Sequence, residues 1–167
     1  MNIIIRDAVL QDMPAVLDIY NHEVLHSTAT YQYTLRTLAE QEEGFAARSA
    51  PPYAFLVAED AAGTLLGFAS YGLYRPREGW RFACEHSVYT HKDYRGRGVA
   101  RELMQPLLAR ARARGLRTMV GVVDASNEAS VKLHQSLGFT LMGVHKNGGY
   151  KFDRWLDVAF VVAQLGE

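Results

Sequence analysis

Two hydrophobic periods alternate along the chain. In "LQDMPAVLDIYNHEVL", Val16, Ile19, Tyr20 and Val24 recur at helical spacing, with Asp12 as a candidate N-cap and Pro14 in the first turn. "TLRTLAEQEEGFAARSA" predicts a second helix that ends at Pro51-Pro52. Over residues 97–114, Val99, Leu103, Leu107 and Ala111 fall four apart and predict a third helix. Pro106 lies inside it, lacks a backbone donor and should bend it. "NEASVKLHQSLG" predicts a fourth. β-branched and aromatic runs between the helices predict strands: "NIIIRDA", a hairpin from "YAFLVAED" to "TLLGFASYGLY", "RFACEHSVYTH", "RTMVGVVDA", and a closing pair from "FTLMGVHK" and "GGYKF" to "WLDVAFVVAQL". "STATYQYT" reads as a loop or short extended piece, and "RPREGW" as a polar loop. The order βααβββαβαββ predicts an α/β fold with a mixed central sheet, in a single domain spanning 1–167.

Composition adds exclusions. Hydrophobic residues make up 49% and charged residues 22%, the balance of an ordinary globular chain. No run approaches the roughly 18–20 apolar residues of a membrane span. The opening "MNIIIRDAVL" has only three apolar residues before Arg6 and Asp7, so it predicts a strand rather than a signal peptide. A single cysteine, Cys84, leaves no partner for an internal disulfide or a cysteine-rich zinc site and suits a reducing, cytoplasmic setting. The histidines show no metal-ligand spacing: His22 and His26 are four apart but lack a zincin's glutamate.

The net charge is zero but unevenly spread. Residues 92–117 carry eight basic residues against Asp93 and Glu102. Arg110, Arg112 and Arg114 suit a solvated helix C-terminus. The remaining excess lies around "YRGRGVARELM", where a predicted strand passes through two glycines into a helix. Glycine lets a ligand approach the main chain, and a helix N-terminus offers unpaired N–H groups with roughly half a positive charge. This combination holds phosphate or pyrophosphate. Gly98 is followed by Val99-Ala100 rather than Lys-Ser/Thr, which argues against an NTP-hydrolysing P-loop. The glycines also follow several strands instead of the first, which argues against a dinucleotide-binding Rossmann unit.

"Arg95-Gly96-Arg97-Gly98-Val99-Ala100" fits the R/Q-x-x-G-x-G/A pattern of the GNAT acetyltransferases, and "NEASVKLHQSLGF" fits that superfamily's second signature. With "EHSVYTHKDYRGRGVA" and "GGYKFDRWLDVAF", the chain resembles the phosphinothricin and methionine sulfoximine N-acetyltransferase branch over essentially its whole length. The resemblance implies a GNAT fold whose sheet splays open near acetyl-CoA, and a homodimer. The single cysteine, the histidine spacing, the localised basic excess and the lack of a long apolar run predict a cytoplasmic protein with no metal, no nucleic acid and no membrane. Pro106 and Arg77 depart from the pattern.

Together, the resemblance and the physics assign expected roles. Amides from Arg97 to Arg101, including Val99 and Ala100, cradle the pyrophosphate beside Arg95, with Gly96 and Gly98 giving clearance. Val88, Tyr89 and Thr90 offer main-chain bonds to the pantetheine arm. Glu85 is the candidate base for the attacking amine, which reacts only when unprotonated. His134 stands where the superfamily commonly has a tyrosine and is the candidate acid for the CoA thiolate. Asn127 caps its helix or also bonds CoA. His86, next to Glu85, faces either substrate or core. Cys84 lacks an activating neighbour, which argues for direct transfer in a ternary complex.

The 71–82 segment supplies Arg75, Pro76, Arg77 and Arg81, suited to a carboxylate or phosphinate, and Tyr31 is a candidate wall. With Glu85, His86 and Ser87 they form the expected substrate set, for a small amine such as an α-amino acid. An α-amine, with pKa about 8, loses its proton more readily than a lysine at about 10.4. Two other readings are a different acceptor, protein N-terminus or polyamine, and a non-catalytic acetyl-CoA-binding or nucleic-acid-binding module. A polyamine site would need clustered acids. A nucleic-acid reader would need its basic residues over a broader face.

Overall fold

The helical and extended segments fold as expected in order, and a computed structural model describes them for residues 2–166. Its elements are β1 (Ile4–Asp7), α1 (Met13–His26), α2 (Leu38–Ser49), β2 (Ala54–Glu59), β3 (Leu65–Leu73), β4 (Ala83–Thr90), α3 (Val99–Ala113), β5 (Thr118–Asp124), α4 (Glu128–Ser136), β6 (Thr140–Lys151) and β7 (Arg154–Gln164). One seven-stranded sheet runs β1-β2-β3-β4-β5-β7-β6. Its neighbours are antiparallel except β4 and β5, which are parallel.

Alternation along the central strands sends side chains to two helical layers. Phe55, Val57 and Phe68 pack with Met13, Val16, Ile19, Tyr20 and Val24 of α1. Leu56, Ala58, Ala69 and Tyr71 pack on the other face with Leu103, Met104, Leu107 and Ala111 of α3. The sheet therefore has apolar runs on both faces at its centre, and β4 is held between α1 and α3.

Several boundaries differ from the sequence expectation, each for a local reason. α2 starts at Leu38 rather than Thr34, because the Thr37 hydroxyl accepts from the Glu40 N–H while the Glu40 carboxylate accepts from the Thr37 N–H. Asp12 does not cap α1 with its side chain. Its carboxylate accepts from the Val9 N–H at 2.8 Å and from Arg6 at 2.7 and 2.9 Å, while Arg6 also donates to Glu59. This clamp ties β1 to β2 and to the start of α1. α3 begins at Val99 because Gly98 sits in the left-handed region, and the helix continues through Pro106. β6 and β7 join through Phe152-Asp153, both at positive φ, a tight turn without the usual Asn-Gly signal.

Candidate active site

β4 and β5 pair only from Ala83 to Glu85, opposite Thr118 to Val120. Beyond that point β4 keeps its partner β3 as far as Thr90, and β5 keeps β7 as far as Asp124. The two strands thus splay, leaving main-chain groups between His86 and Thr90 without a ladder partner on the β5 side. A cavity of about 210 Å³ occupies the opening, lined by Glu85, His86, Ser87, Gly121, Asp124 and His134 among others. A second, of about 570 Å³, continues from Val88, Tyr89 and Thr90 to the start of α3. Asn127 and Ser130 border both.

The second cavity ends at the glycine turn. Gly96 and Gly98 have φ of 72° and 85°, and no atom lies within 4 Å of where a Cβ would sit on either. Gly98 gives α3 no side-chain cap, so the N–H groups of its first turn remain available. Gly96, Gly98, Val99, Ala100 and Arg101 line this end with Arg95. The combination of open main chain, helix dipole and cations fits a pyrophosphate. Arg95 is ion-paired with Glu23, Arg101 donates to Ser136 at 2.6 Å, and Arg97 turns back over the Tyr94 ring. Arg97 is thus the one cofactor-turn arginine that leaves the cavity lining. Asn127 caps α4 through its Oδ1, which accepts from the Ser130 N–H at 3.1 Å.

Adjacent residues of β4 divide the chemistry between the two faces. Glu85 is half-buried at the splay. Burial raises its pKa above the ordinary carboxylate value, and the guanidinium charges of Arg48 and Arg75 offset this only in part. His86 points the other way and is 6% exposed. Its ring lies so close over β5 that a Cβ at Gly121 would meet His86 Cε1 at 2.6 Å, which accounts for a glycine mid-strand. His134 of α4 reaches it from above, 2% exposed, with the two Nε2 atoms 2.9 Å apart. Phe139 beds both rings, at centroid distances of 5.2 and 5.1 Å. Both nitrogens of each ring are engaged within the protein, and the one His134 nitrogen that does not face a carbonyl, Nε2, faces His86.

Asp124 is a second carboxylate of the cavity. Burial pushes its pKa up, but bonds from Thr28 at 2.5 Å and from Ser126 outweigh that and hold it below the ordinary value. Tyr31 packs against Gly149, and its hydroxyl is buried with no partner among the described residues. A buried orphan hydroxyl on a cavity wall is a ready ligand contact. A third cavity, of about 440 Å³, lies on the Tyr89 face of β4, lined by Arg36, Arg48, Ser70 and Ser87 over an aromatic floor.

The loop expected to grip substrate lies outside the cavity linings. Arg75, Pro76, Arg77 and Arg81 are exposed and border none of these three cavities. Arg75 stacks on Tyr74 and Arg81 on Phe82. Only the charge of Arg75 reaches the site, at Glu85. Sequence reasoning passed over Arg36, Arg48, Asp124 and Gly121. Of these, only the mid-strand glycine carried a signal.

A splayed parallel pair above a glycine turn is the arrangement the sequence resemblance implies, and residues 14–139 match the model of the acetyltransferase (GNAT) family. The chain belongs to the GNAT acetyltransferase family. It is 47% identical to an L-methionine sulfoximine/L-methionine sulfone acetyltransferase of Pseudomonas paraeruginosa, over 99% of this chain and 96% of that one. It is 38% identical to a phosphinothricin N-acetyltransferase of Alcaligenes faecalis, over 97% of this chain and 81% of that one. Among solved structures, an acetyltransferase of Salmonella typhimurium with its cofactor acetyl-CoA superposes with a TM-score of 0.96 at 39% identity, covering all of this chain and 96% of that one. Among the described residues no group of His, Cys, Asp and Glu could hold a metal ion, and no helix is long and apolar enough to cross a membrane.

Proposed function

We propose that this GNAT enzyme transfers the acetyl group of acetyl-CoA to the α-amine of an amino acid or close analogue of the methionine sulfoximine, methionine sulfone or phosphinothricin type, by direct transfer in a ternary complex. The observation that carries the reading is the separation of two carboxylates at one cavity. Asp124, its pKa lowered by its hydrogen bonds, favours an incoming ammonium, while burial raises the pKa of Glu85 and suits it to accept a proton. Acetyl-CoA supplies an activated thioester. The chain's own residues bind and orient it: first-turn amides of α3 at the pyrophosphate, main-chain groups of Val88–Thr90 along the arm. Glu85 accepts the amine proton, and an unpaired amide of the splay stabilises the developing oxyanion. The unpartnered Tyr31 hydroxyl supports a polar contact to the acceptor, and Arg48 and Arg36 support a carboxylate or oxyanion on it.

Cys84 supports direct transfer. It is 0% exposed, its Sγ lies 3.5 Å from the Thr118 carbonyl, and burial pushes its pKa up to about 12. A thiol in that state is a poor nucleophile. Exposed Leu141, Met142, Val144, Phe152 and Trp155 on the edge strand β6 and its hairpin support a homodimer formed by the closing strands. The free cysteine supports a cytoplasmic setting.

A thiol-release assay with acetyl-CoA across the common amino acids, methionine sulfoximine, methionine sulfone, phosphinothricin and a panel of polyamines tests the reading. Turnover confined to α-amino acids and their analogues is expected. Turnover confined to polyamines or peptide N-termini, or acetyl-CoA binding with no turnover, would overturn it.

A further inference from the structure

The two histidines of the cavity floor make a pair whose protons can be counted from their partners. His86 Nδ1 lies 3.0 Å from the carbonyl oxygen of Val120, and His134 Nδ1 lies 2.7 Å from that of Ser130. A carbonyl only accepts, so each Nδ1 carries a hydrogen; the Ser130 hydroxyl, the other group near His134 Nδ1, is at 3.5 Å and much farther than the carbonyl. The remaining nitrogens, the two Nε2 atoms, face each other at 2.9 Å. A neutral imidazole has one N–H. Two neutral rings that both satisfy their carbonyls would therefore set two lone pairs against each other at hydrogen-bond distance. One more hydrogen between the Nε2 atoms turns that repulsion into an N–H···N bond. The rings have little room to move apart, since Gly121 lies directly against His86 and Phe139 packs on both.

We infer that His86 and His134 hold one shared proton between their Nε2 atoms and exchange it as a single unit, with His86 positioning the proton that His134 gives to the departing thiolate. This rests on the acetyl-transfer reading of the site. The titratable groups around the pair are Glu85 and Tyr89 on β4, Asp124 on β5 and Tyr31 on the segment after α1, while α4 and its N-cap bring the neutral Ser130 and Asn127, and Phe139 is apolar. Asp124 is bonded to Thr28 and Ser126, and no carboxylate bonds either ring. Burial lowers the pKa of both rings, and the charge of His134 lowers that of His86 further, to about 3. A shared proton removes that neighbour's repulsion and spreads the charge over two rings. It also makes the pair a willing donor once a thiolate forms in the same cavity.

The proton balance closes. The attacking amine loses its N–H proton to the Glu85 carboxylate as the N–C bond forms and the C–S bond breaks. The thiolate sulfur gains a hydrogen as the shared N–H bond breaks. The pair is left with two hydrogens, both on Nδ1, and opposed lone pairs. The Glu85 carboxylic acid then releases its proton through solvent in the shared cavity and restores the pair.

Imidazole ¹⁵N NMR on the ligand-free wild-type protein tests the count without any activity, so its outcome is separate from the acetyl-transfer assay. Both Nδ1 atoms should be protonated, and both Nε2 signals should move together along one pH transition. A plain Nε2–H on one ring with a bare Nδ1, or two independent transitions, would overturn the inference. Kinetics add a second arm. His86→Gln and His134→Gln should each lower kcat about ten- to a hundredfold at nearly constant KM for acetyl-CoA, and the double variant should lose no more than either single. Additive losses, or a His86→Gln variant with an unchanged kcat–pH profile, would show that His86 serves only packing.

Discussion

Glu23 of α1 closes an ion pair with Arg95 of the turn that opens α3. The carboxylate is buried, and its other oxygen accepts from the Ser27 hydroxyl at 2.5 Å. Lys151 of β6 donates to the Ser27 and Thr30 carbonyls at 2.7 and 2.8 Å, closing the end of α1 and the loop after it. The glycine turn, α1 and the β6–β7 hairpin are thus joined through one polar cluster beside the larger cavity at the start of α3. Arg95→Met leaves a buried carboxylate unpaired and should destabilise the fold by about 1–3 kcal/mol in urea unfolding. The same variant should raise KM for acetyl-CoA. Unchanged stability would show that Glu23 finds another partner.

The glycine turn should govern acetyl-CoA affinity with a measurable conformational cost. Gly98 has open space around its absent Cβ but a φ of 85°. Gly98→Ala should therefore cost about 1–2 kcal/mol of stability through the left-handed backbone. Gly98→Val, β-branched, should cost more and also crowd the pyrophosphate. Calorimetry on the folded Ala variant should show weaker acetyl-CoA binding, and equal affinity would remove the turn from the site.

Glu85 sets a pH dependence whose sign follows from its burial. A base must be ionised to accept a proton, and the raised pKa of Glu85 means it ionises later than an ordinary carboxylate. The wild-type rate should rise with pH through that raised value. Glu85→Gln should abolish this rise, lower kcat by roughly 10²- to 10⁴-fold near neutrality, and recover in part where the amine, with pKa about 8, is already neutral. A Gln variant with wild-type kcat at every pH would pass the base role to an ordered water.

The carboxylate-binding arginine can be decided by pairing Arg48 with Arg75. Arg48 borders the third cavity and lies over Gly72, whose strand partner is Glu85, whereas Arg75 stands outside the cavities on Tyr74. Arg48→Ala should raise KM for an amino acid about ten- to a hundredfold over its decarboxylated analogue, equivalent to about 1.5–3 kcal/mol. Arg75→Ala should discriminate less. The reverse ranking would return recognition to the 75–81 loop.

The Arg6 clamp predicts an acid-labile contribution to stability. The bonds from Arg6 hold the Asp12 pKa below its ordinary value against burial. A depressed carboxylate stabilises the fold above its unfolded pKa of about 3.9, and that stability disappears as pH falls through the lower, folded value. Asp12→Asn should be clearly less stable than wild type at pH 7 and converge on it in strong acid. A difference that stays constant with pH would mean that Asp12 acts through packing alone.

Local chemistry in the sequence by itself determined the element order and the glycine turn, while the family came from the resemblance of its motifs. Helical spacing in Val99–Leu103–Leu107–Ala111 and alternation in β4 are properties of neighbouring residues, so they survive without a tertiary context. Gly96 and Gly98 announce an anion site because their freedom and the helix dipole are local too. The splay, by contrast, depends on β4 and β5, separated in sequence by all of α3, parting after only three paired positions. Tertiary packing alone decided that His86 faces inward, because alternation fixes opposite faces for Glu85 and His86 but not which face is which. It also paired His86 with His134, which lie 48 residues apart, and brought Arg48 rather than Arg75 to a cavity wall. Asp124 reads as an ordinary strand-end acid in sequence. Thr28, 96 residues away, makes it an ionised wall of the site through a hydrogen bond that no sequence spacing encodes.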